Sequence, residues 1–211
     1  MDKFIITIAR ETGSGGYDIT KALSDALNIP YYDRDLLRLA SDVSGIHERL
    51  FGAADERIGM KEMLSAAKKV YTGEILPPDS DDYTSTKNLF SFQAKIIKEL
   101  AETQSCIILG RAANYLLQDR RDVLRVFIHA PLETRMERVS GYSMAWSSRE
   151  VIWHIRQEDK RRADYYRYYT GEEWRNASGY DLCLDSSRLG VEGCVDTICR
   201  VLPVLLKQDR D

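Results

Sequence analysis

The stretch Phe4-Ile5-Ile6-Thr7-Ile8-Ala9-Arg10-Glu11-Thr12-Gly13-Ser14-Gly15-Gly16 decides the fold. Its first six residues are apolar or β-branched on both parities, the pattern of a strand buried on both faces. A glycine-rich turn follows at once, and then Ile19, Ala22, Leu23, Ala26 and Leu27 repeat at helical spacing. Working outward, Asn28-Ile29-Pro30 stops that helix and Tyr31-Tyr32 reads as a second strand. Residues 106–109, 124–130 and 180–185 supply three more short apolar runs, separated by helical patterns over 33–69, 87–103, 147–169 and the C-terminal segment. Five such strands alternating with helices predict an α/β fold with a parallel, doubly wound sheet and helices on both faces. Ligands of such sheets sit at the carboxyl ends of the strands. The residues of interest are therefore Arg10 to Gly16, Asp33 and Arg34, Gly110 and Arg111, His129, and Asp185 to Ser187.

The chain has 211 residues, 44% of them hydrophobic, which suits one domain with its own core. With 30 Lys plus Arg against 33 Asp plus Glu, the net charge is −3, which argues against a protein built to hold nucleic acid. No apolar run reaches the roughly 18 residues of a membrane span, and the N-terminal stretch is too short for a signal segment, so no membrane is expected and a cytoplasmic location is. The four cysteines include no C-x-x-C pair and read as buried reduced thiols. Residues 72–86, rich in Pro, Gly and Asp, read as a mobile surface loop.

Gly13, Gly15 and Gly16 ahead of a helix allow backbone N–H groups to turn around an anion, with the positive end of the helix behind them. Against the phosphate-loop pattern G-x-x-x-x-G-K-[ST], Gly15 fits the second glycine. Arg10 stands at the first glycine, Gly16 at the lysine and Tyr17 at the hydroxyl position. Arg10 at the mouth of the loop is the candidate replacement for the lysine, and Ser14, Thr12 or Asp18 could touch a magnesium ion. The alternative is a tight strand-to-helix turn in which the glycines only permit the geometry.

The motifs extend beyond this loop. Ile29-Pro30-Tyr31-Tyr32-Asp33-Arg34-Asp35-Leu36-Leu37, Ile107-Ile108-Leu109-Gly110-Arg111-Ala112-Ala113-Asn114-Tyr115, Tyr165-Tyr166-Arg167-Tyr168-Tyr169-Thr170-Gly171 and Tyr180-Asp181-Leu182-Cys183-Leu184-Asp185-Ser186-Ser187 join it. Together they resemble the cytidylate kinase-like branch of the P-loop nucleoside monophosphate kinases over nearly the whole chain, with the loop lysine missing. The resemblance implies a three-layer α/β/α P-loop NTPase fold with a core of residues 1–32, 104–146 and 178–211. It further implies a helical acceptor-binding insertion at 33–103 and a lid with its following helix at 147–177. It implies ATP and Mg2+, a phosphate loop of Thr12, Gly13, Ser14, Gly15 and Gly16, and an acceptor site at Asp33 and Arg111. Arg161 and Arg162 fall in the arginine-rich lid, where they and Arg10 would serve transfer of a γ-phosphate to a nucleoside monophosphate or other small acceptor.

Each assignment has a plainer alternative. Arg111 could be paired with a carboxylate for structure, Asp33 could cap the next helix, and the charged segment 156–167 could be a solvated face. Arg156, Arg161 and Arg162 cover more than one helix face, so they cannot all reach one site. Arg135 and Arg138 are further candidates. The insertion helices carrying Phe51, Leu64, Phe90 and Phe92 could meet a second copy of the chain. A protein that binds nucleotide without transferring phosphate is the second functional expectation.

Overall fold

The computed structural model describes residues 3–56, 58, 71–143 and 145–207. At its centre lie β1 (Ile5–Arg10), β2 (Tyr31–Tyr32), β3 (Cys106–Leu109), β4 (Val123–His129) and β5 (Leu182–Asp185). They form one five-stranded sheet in the order β2-β3-β1-β4-β5, and every pairing is parallel. The helices are α1 (Gly16–Leu27), α2 (Asp35–Ser44), α3 (Glu48–Ala54), α4 (Thr86–Thr103), α5 (Ala113–Leu116), α6 (Leu132–Tyr142), α7 (Ser148–Thr170) and α8 (Ser186–Lys207).

The continuous apolar run of β1 is explained by its central place, because it feeds two cores with a period of two. Ile6 and Ile8 pack with Ile19 and Leu23 of α1 and with Cys194 and Ile198 of α8. Ile5 joins the opposite layer, with Leu36 of α2 and Leu89 and Ile97 of α4. The result is the expected α/β/α sandwich. α1 ends where Asn28 turns left-handed (φ 51°) and returns its N–H to Ser24 O. α7 begins on a capping box between Ser147 and Glu150 and ends at left-handed Gly171.

Three expectations are corrected here. The segment 72–86 has little regular structure, yet it is pinned. The buried Asn88 donates to Tyr83 O at 2.7 Å and accepts from Leu76 N at 2.8 Å, while Tyr83 Oη donates to Ser44 O. Ile75 and Tyr83 pack on the core. Phe51, Phe90 and Phe92 are buried within the chain, so they offer no surface to a second copy; Leu64 lies outside the described residues. Cys183 is exposed because β5 is an edge strand, and Cys199 on α8 is half-buried, whereas Cys106 and Cys194 are buried as expected. The helical pattern over 33–69 resolves into α2 and α3, separated at left-handed Gly45, and positions 59–69 lie outside the described residues.

Candidate functional site

The carboxyl ends of the strands are tied into one rim. Glu11 N donates to Ile128 O at 3.0 Å, and Gly110 N donates to Ile8 O at 2.9 Å. Ser186 Oγ, directly after β5, donates to Ser14 O at 2.5 Å. The glycine loop therefore stands between the ends of β3, β4 and β5. Gly13 (φ 77°) and Gly15 (φ 79°) are left-handed. Gly15 caps α1 with no side-chain acceptor, so the first-turn N–H groups of a 12-residue helix point outward without an intrahelical partner.

Gly13 is needed for packing as well as for the turn. A Cβ there would stand 2.7 Å from Arg135 O and 3.0 Å from Val139 Cγ2, so α6 rests directly on the loop. Gly13→Ala is expected to destabilise the fold by about 2–3 kcal/mol, from roughly 1–2 for a left-handed non-glycine and about 1 for overpacking. Urea unfolding measures it, and a loss below about 0.5 kcal/mol would refute the close packing of α6.

Arginines reach this loop from several elements. Arg162 of α7 donates to Thr12 Oγ1 at 2.6 Å and to Glu56 Oε2 at 3.2 Å. Arg10 donates to Glu56 Oε1 at 3.0 Å. Arg135 of α6 holds Asp159 at 2.5 Å and Thr12 O at 3.4 Å. Arg138 donates to Ser186 Oγ at 2.9 Å and Gly13 O at 3.4 Å. Arg175 bridges Glu11 at 2.7 Å and Asp159 at 3.0 Å. Asp159 itself accepts the Thr12 N–H at 2.8 Å. Four guanidiniums (Arg10, Arg135, Arg162, Arg175) thus meet three carboxylates (Glu11, Glu56, Asp159), and Arg138, held by Ser186 and Gly13 O, is a fifth, an excess of two positive charges around the loop.

Burial opposes the charge on Glu56, but Arg10, Arg162 and Arg111 outweigh it and hold the carboxyl well below the ordinary range. Burial, with the like charge of Arg10 beside it, pushes Arg162 down from the ordinary arginine value. An arginine still keeps its charge throughout the physiological range.

The open readings of Asp33 and Arg111 resolve together, against a cap and for a buried ion pair. Asp33 does not cap α2, whose N-cap is Arg34 with no side-chain bond. Instead Asp33 Oδ1 accepts from Arg111 Nη1 at 3.0 Å, and Asp55 Oδ2 accepts from Arg111 Nη2 at 3.0 Å. Arg111 is 1% exposed at its side chain, left-handed at φ 51°, and held by two carboxylates. Burial lifts Asp55 above the usual carboxylate range against the opposing pull of Arg111. A Cβ on left-handed Gly110 would fall on the Glu56 carboxylate.

The structure brings Arg10 and Arg162 to the loop, whereas Arg161 turns away to pair with Glu158 at 2.5 Å. Of the metal candidates, Ser14 Oγ is buried and donates to Glu11 O, Thr12 Oγ1 accepts from Arg162, and Asp18 is exposed. The hydroxyl position of the loop pattern is held by Tyr17, whose Oη lies 3.2 Å from Tyr31 Oη. Sequence reasoning missed Glu56, Asp55, Asp159 and Arg175. Asp159 and Glu56 are buried acids that each follow another acid, Glu158 and Asp55, and periodicity does not say which of them the fold buries.

Comparison with known proteins places the chain in a family. The model of the cytidylate kinase-like family matches residues 5–188. The chain belongs to that family. It is similar to the cytidylate kinase of Methanosarcina acetivorans, 26% identical over 184 residues that cover 87% of each chain. Among solved structures it is similar to an uncharacterized protein from Eubacterium ventriosum, with TM-score 0.70, 23% identity, and 95% of this chain and 99% of that one covered. It is also similar to the shikimate kinase of Bacteroides thetaiotaomicron, with TM-score 0.54, 15% identity, and coverage of 95% and 98%. At these identities the structures attest the fold, which is that of the P-loop kinases. Among the described residues no helix is long and apolar enough to cross a membrane.

Proposed function

We propose that the protein is a nucleotide-dependent phosphotransferase that moves the γ-phosphate of ATP to a nucleoside monophosphate or another small acceptor. The observation that carries this reading is the excess of positive charge around an uncapped glycine loop at the strand ends. Phosphoryl transfer asks the protein mainly for positioning and for charge aimed at the moving phosphoryl oxygens. The loop N–H groups would hold the phosphates, Arg10 would supply part of the charge of the missing lysine, and Arg162 would reach the γ-phosphate from the lid helix. The acceptor oxygen forms the bond to phosphorus as the bond to the bridging oxygen breaks, and the nucleoside diphosphate leaves with that electron pair. The insertion of residues 33–103, with Asp33 and Arg111, would form the acceptor side.

The oxygen atoms beside the loop do not fit a magnesium site held by the protein, since Ser14, Thr12, Glu11 and Asp159 are engaged, and among the described residues the exposed Asp18 joins no cluster of candidate ligands. Any Mg2+ would be carried by the nucleotide's own phosphates and water.

A second reading, nucleotide binding without transfer, is favoured by one observation. Arg10, Arg135, Arg162 and Arg175 are each already paired with a carboxylate, so phosphate must displace acids before these groups can act. Thermal shift with ATP and Mg2+ tests binding, and nucleoside diphosphate formed from ATP and cytidylate tests transfer. Under the first reading Arg162→Ala lowers transfer about a hundredfold, the loss typical of one charge-stabilising donor, and Arg10→Ala weakens ATP binding. Unchanged transfer removes Arg162 from the mechanism. Binding with no transfer to any acceptor leaves the second reading, and no binding at millimolar ATP removes both.

A further inference from the structure

The buried face of α7 carries Val151, Ile155 and, one turn further on, Asp159. An apolar side chain would continue that stripe, whereas an acid at this place has to be held by donors. The Asp159 side chain is 7% exposed, and both of its oxygens are taken. Oδ1 accepts the Thr12 N–H at 2.8 Å, and Oδ2 accepts from Arg135 at 2.5 Å and from Arg175 at 3.0 Å. Arg162 Nη1 stands 3.7 Å from Oδ1. One carboxylate therefore gathers a backbone N–H of the glycine loop and three guanidiniums.

Those are the donors that a phosphate group takes, the N–H groups of a turn and the forks of arginines. The neighbouring amides of the loop are held differently. Glu11 N donates to Ile128 O and Ser14 N to Glu11 O, so backbone carbonyls fix both. The Thr12 N–H is held by a side chain of another element. Arg162, one turn along α7, donates to Thr12 Oγ1 at 2.6 Å, so α7 grips Thr12 by its backbone and by its hydroxyl. Arg175, half-exposed, closes the outer side by bridging Asp159 to Glu11.

We propose that Asp159 is a built-in stand-in for a ligand phosphate, an autoinhibitory latch that keeps α7 on the glycine loop until a polyphosphate displaces its carboxylate. The latch rests on the reading of the loop as a polyphosphate site and not on phosphate transfer. A carboxylate and a phosphate oxygen cannot share the Thr12 N–H and the same guanidiniums, because two negative groups repel where the donors converge. The apparent affinity for polyphosphate is then lowered by the fraction of molecules in which the latch is shut. Release of Asp159 also undoes one of the two contacts between α7 and Thr12, which couples ligand entry to the position of that helix.

Titration calorimetry of the full chain with inorganic tripolyphosphate, free of Mg2+, tests the latch. Asp159→Asn keeps the shape and removes the charge; it is expected to bind at least about tenfold more tightly than the parent, the gain from opening a latch shut in roughly nine molecules of ten. Asp164→Asn removes the same charge from the same helix at a surface pair with Lys160, and its affinity should stay within about twofold of the parent. Equal tightening in both variants would reduce the effect to net charge and end the proposal. Unchanged or weaker binding by Asp159→Asn would also end it, and the loop reading would stand so long as the parent binds. No binding by the parent or either variant would remove the loop reading and the latch with it. A crystal structure of the parent with tripolyphosphate requires no variant to fold. With the ligand on the loop, a phosphate oxygen is expected on the Thr12 N–H and Asp159 Oδ1 beyond the roughly 3.5 Å reach of a hydrogen bond. A ligand seated on the loop beside an intact 2.8 Å bond from Thr12 to Asp159 would overturn the latch.

Discussion

Arg111→Ala is expected to lose about 3–5 kcal/mol of unfolding free energy near neutral pH, the cost typical of stranding a buried charge by removing its partner. The guanidinium is buried and bridges Asp33 and Asp55 at 3.0 Å each. Its backbone N–H also donates to Glu56 Oε1 at 3.2 Å. Without it, Asp33, Asp55 and Glu56 lose their shared cation. Arg111→Met separates charge from packing, because it keeps most of the volume and removes the charge. Both variants should fall by similar amounts in urea unfolding; a methionine variant as stable as the parent would show that only packing matters at this position.

The loss should also depend on pH in a defined direction. Burial holds Asp55 above its ordinary value of 3.8, and Arg111 is the partner that pulls it back. In the variant the folded state therefore takes up a proton on Asp55 more readily than the unfolded state does. Its deficit relative to the parent should be full only above that raised value and shrink as pH falls from there toward the ordinary value of 3.8. A deficit independent of pH would mean that the stranded acids are not its origin.

The alanine result bears on what could be read before the structure. The frame was legible because β1 is apolar on both parities and ends in glycines. Only a central parallel strand that turns straight into a helix satisfies both features. Asp33 and Arg111 were legible as strand-end residues, but their relation was not. The alternatives for each, a cap and a structural ion pair, were weighed separately, whereas the fold makes the two side chains partners.

Helix α7 shows a different limit. Glu158–Arg161 and Asp159–Arg162 have the same i,i+3 spacing one residue apart, so helical periodicity alone places them on different faces without saying which face meets the loop. The answer comes from Val151, Ile155 and Asp159, buried on one face of α7, and Asp159 reads as one more charge in a charged segment until its Thr12 contact is seen. Loop 72–86 misled through composition. Its acidic residues are solvated, but Tyr83 and Ile75 are packed and Asn88 bonds the segment from within the next helix.

Glu56→Gln is expected to cost about 3–5 kcal/mol near pH 7, since it leaves Arg10 and Arg162 without their shared counter-charge. Glu56 is the hinge of the charge network: its two oxygens hold one arginine from the end of β1, one from α7 and the backbone of Arg111. The residue adopts a left-handed backbone at φ 47°, and Arg111 and Ala112, at φ 51° and 53°, do the same. Such a concentration of left-handed non-glycine residues stores strain that the surrounding contacts must offset. Glutamine keeps the length and one acceptor oxygen, so the cost isolates the charge.

The sign with pH follows from the depressed carboxyl. The folded protein holds Glu56 ionised where the unfolded chain, at its ordinary value of 4.5, begins to bind a proton. The contribution is therefore complete above about pH 4.5 and is lost progressively as pH falls below it. The parent should lose stability steeply in acid, the Glu56→Gln variant should lose less, and the two curves should converge. Curves that stay parallel from pH 7 to pH 3 would refute the role of Glu56 as the ionised centre of the network. The same variant also probes function. Because Glu56 neutralises Arg10 and Arg162, its loss should tighten anion binding at the loop while weakening the fold, a pairing of effects that a residue needed only for packing would not produce.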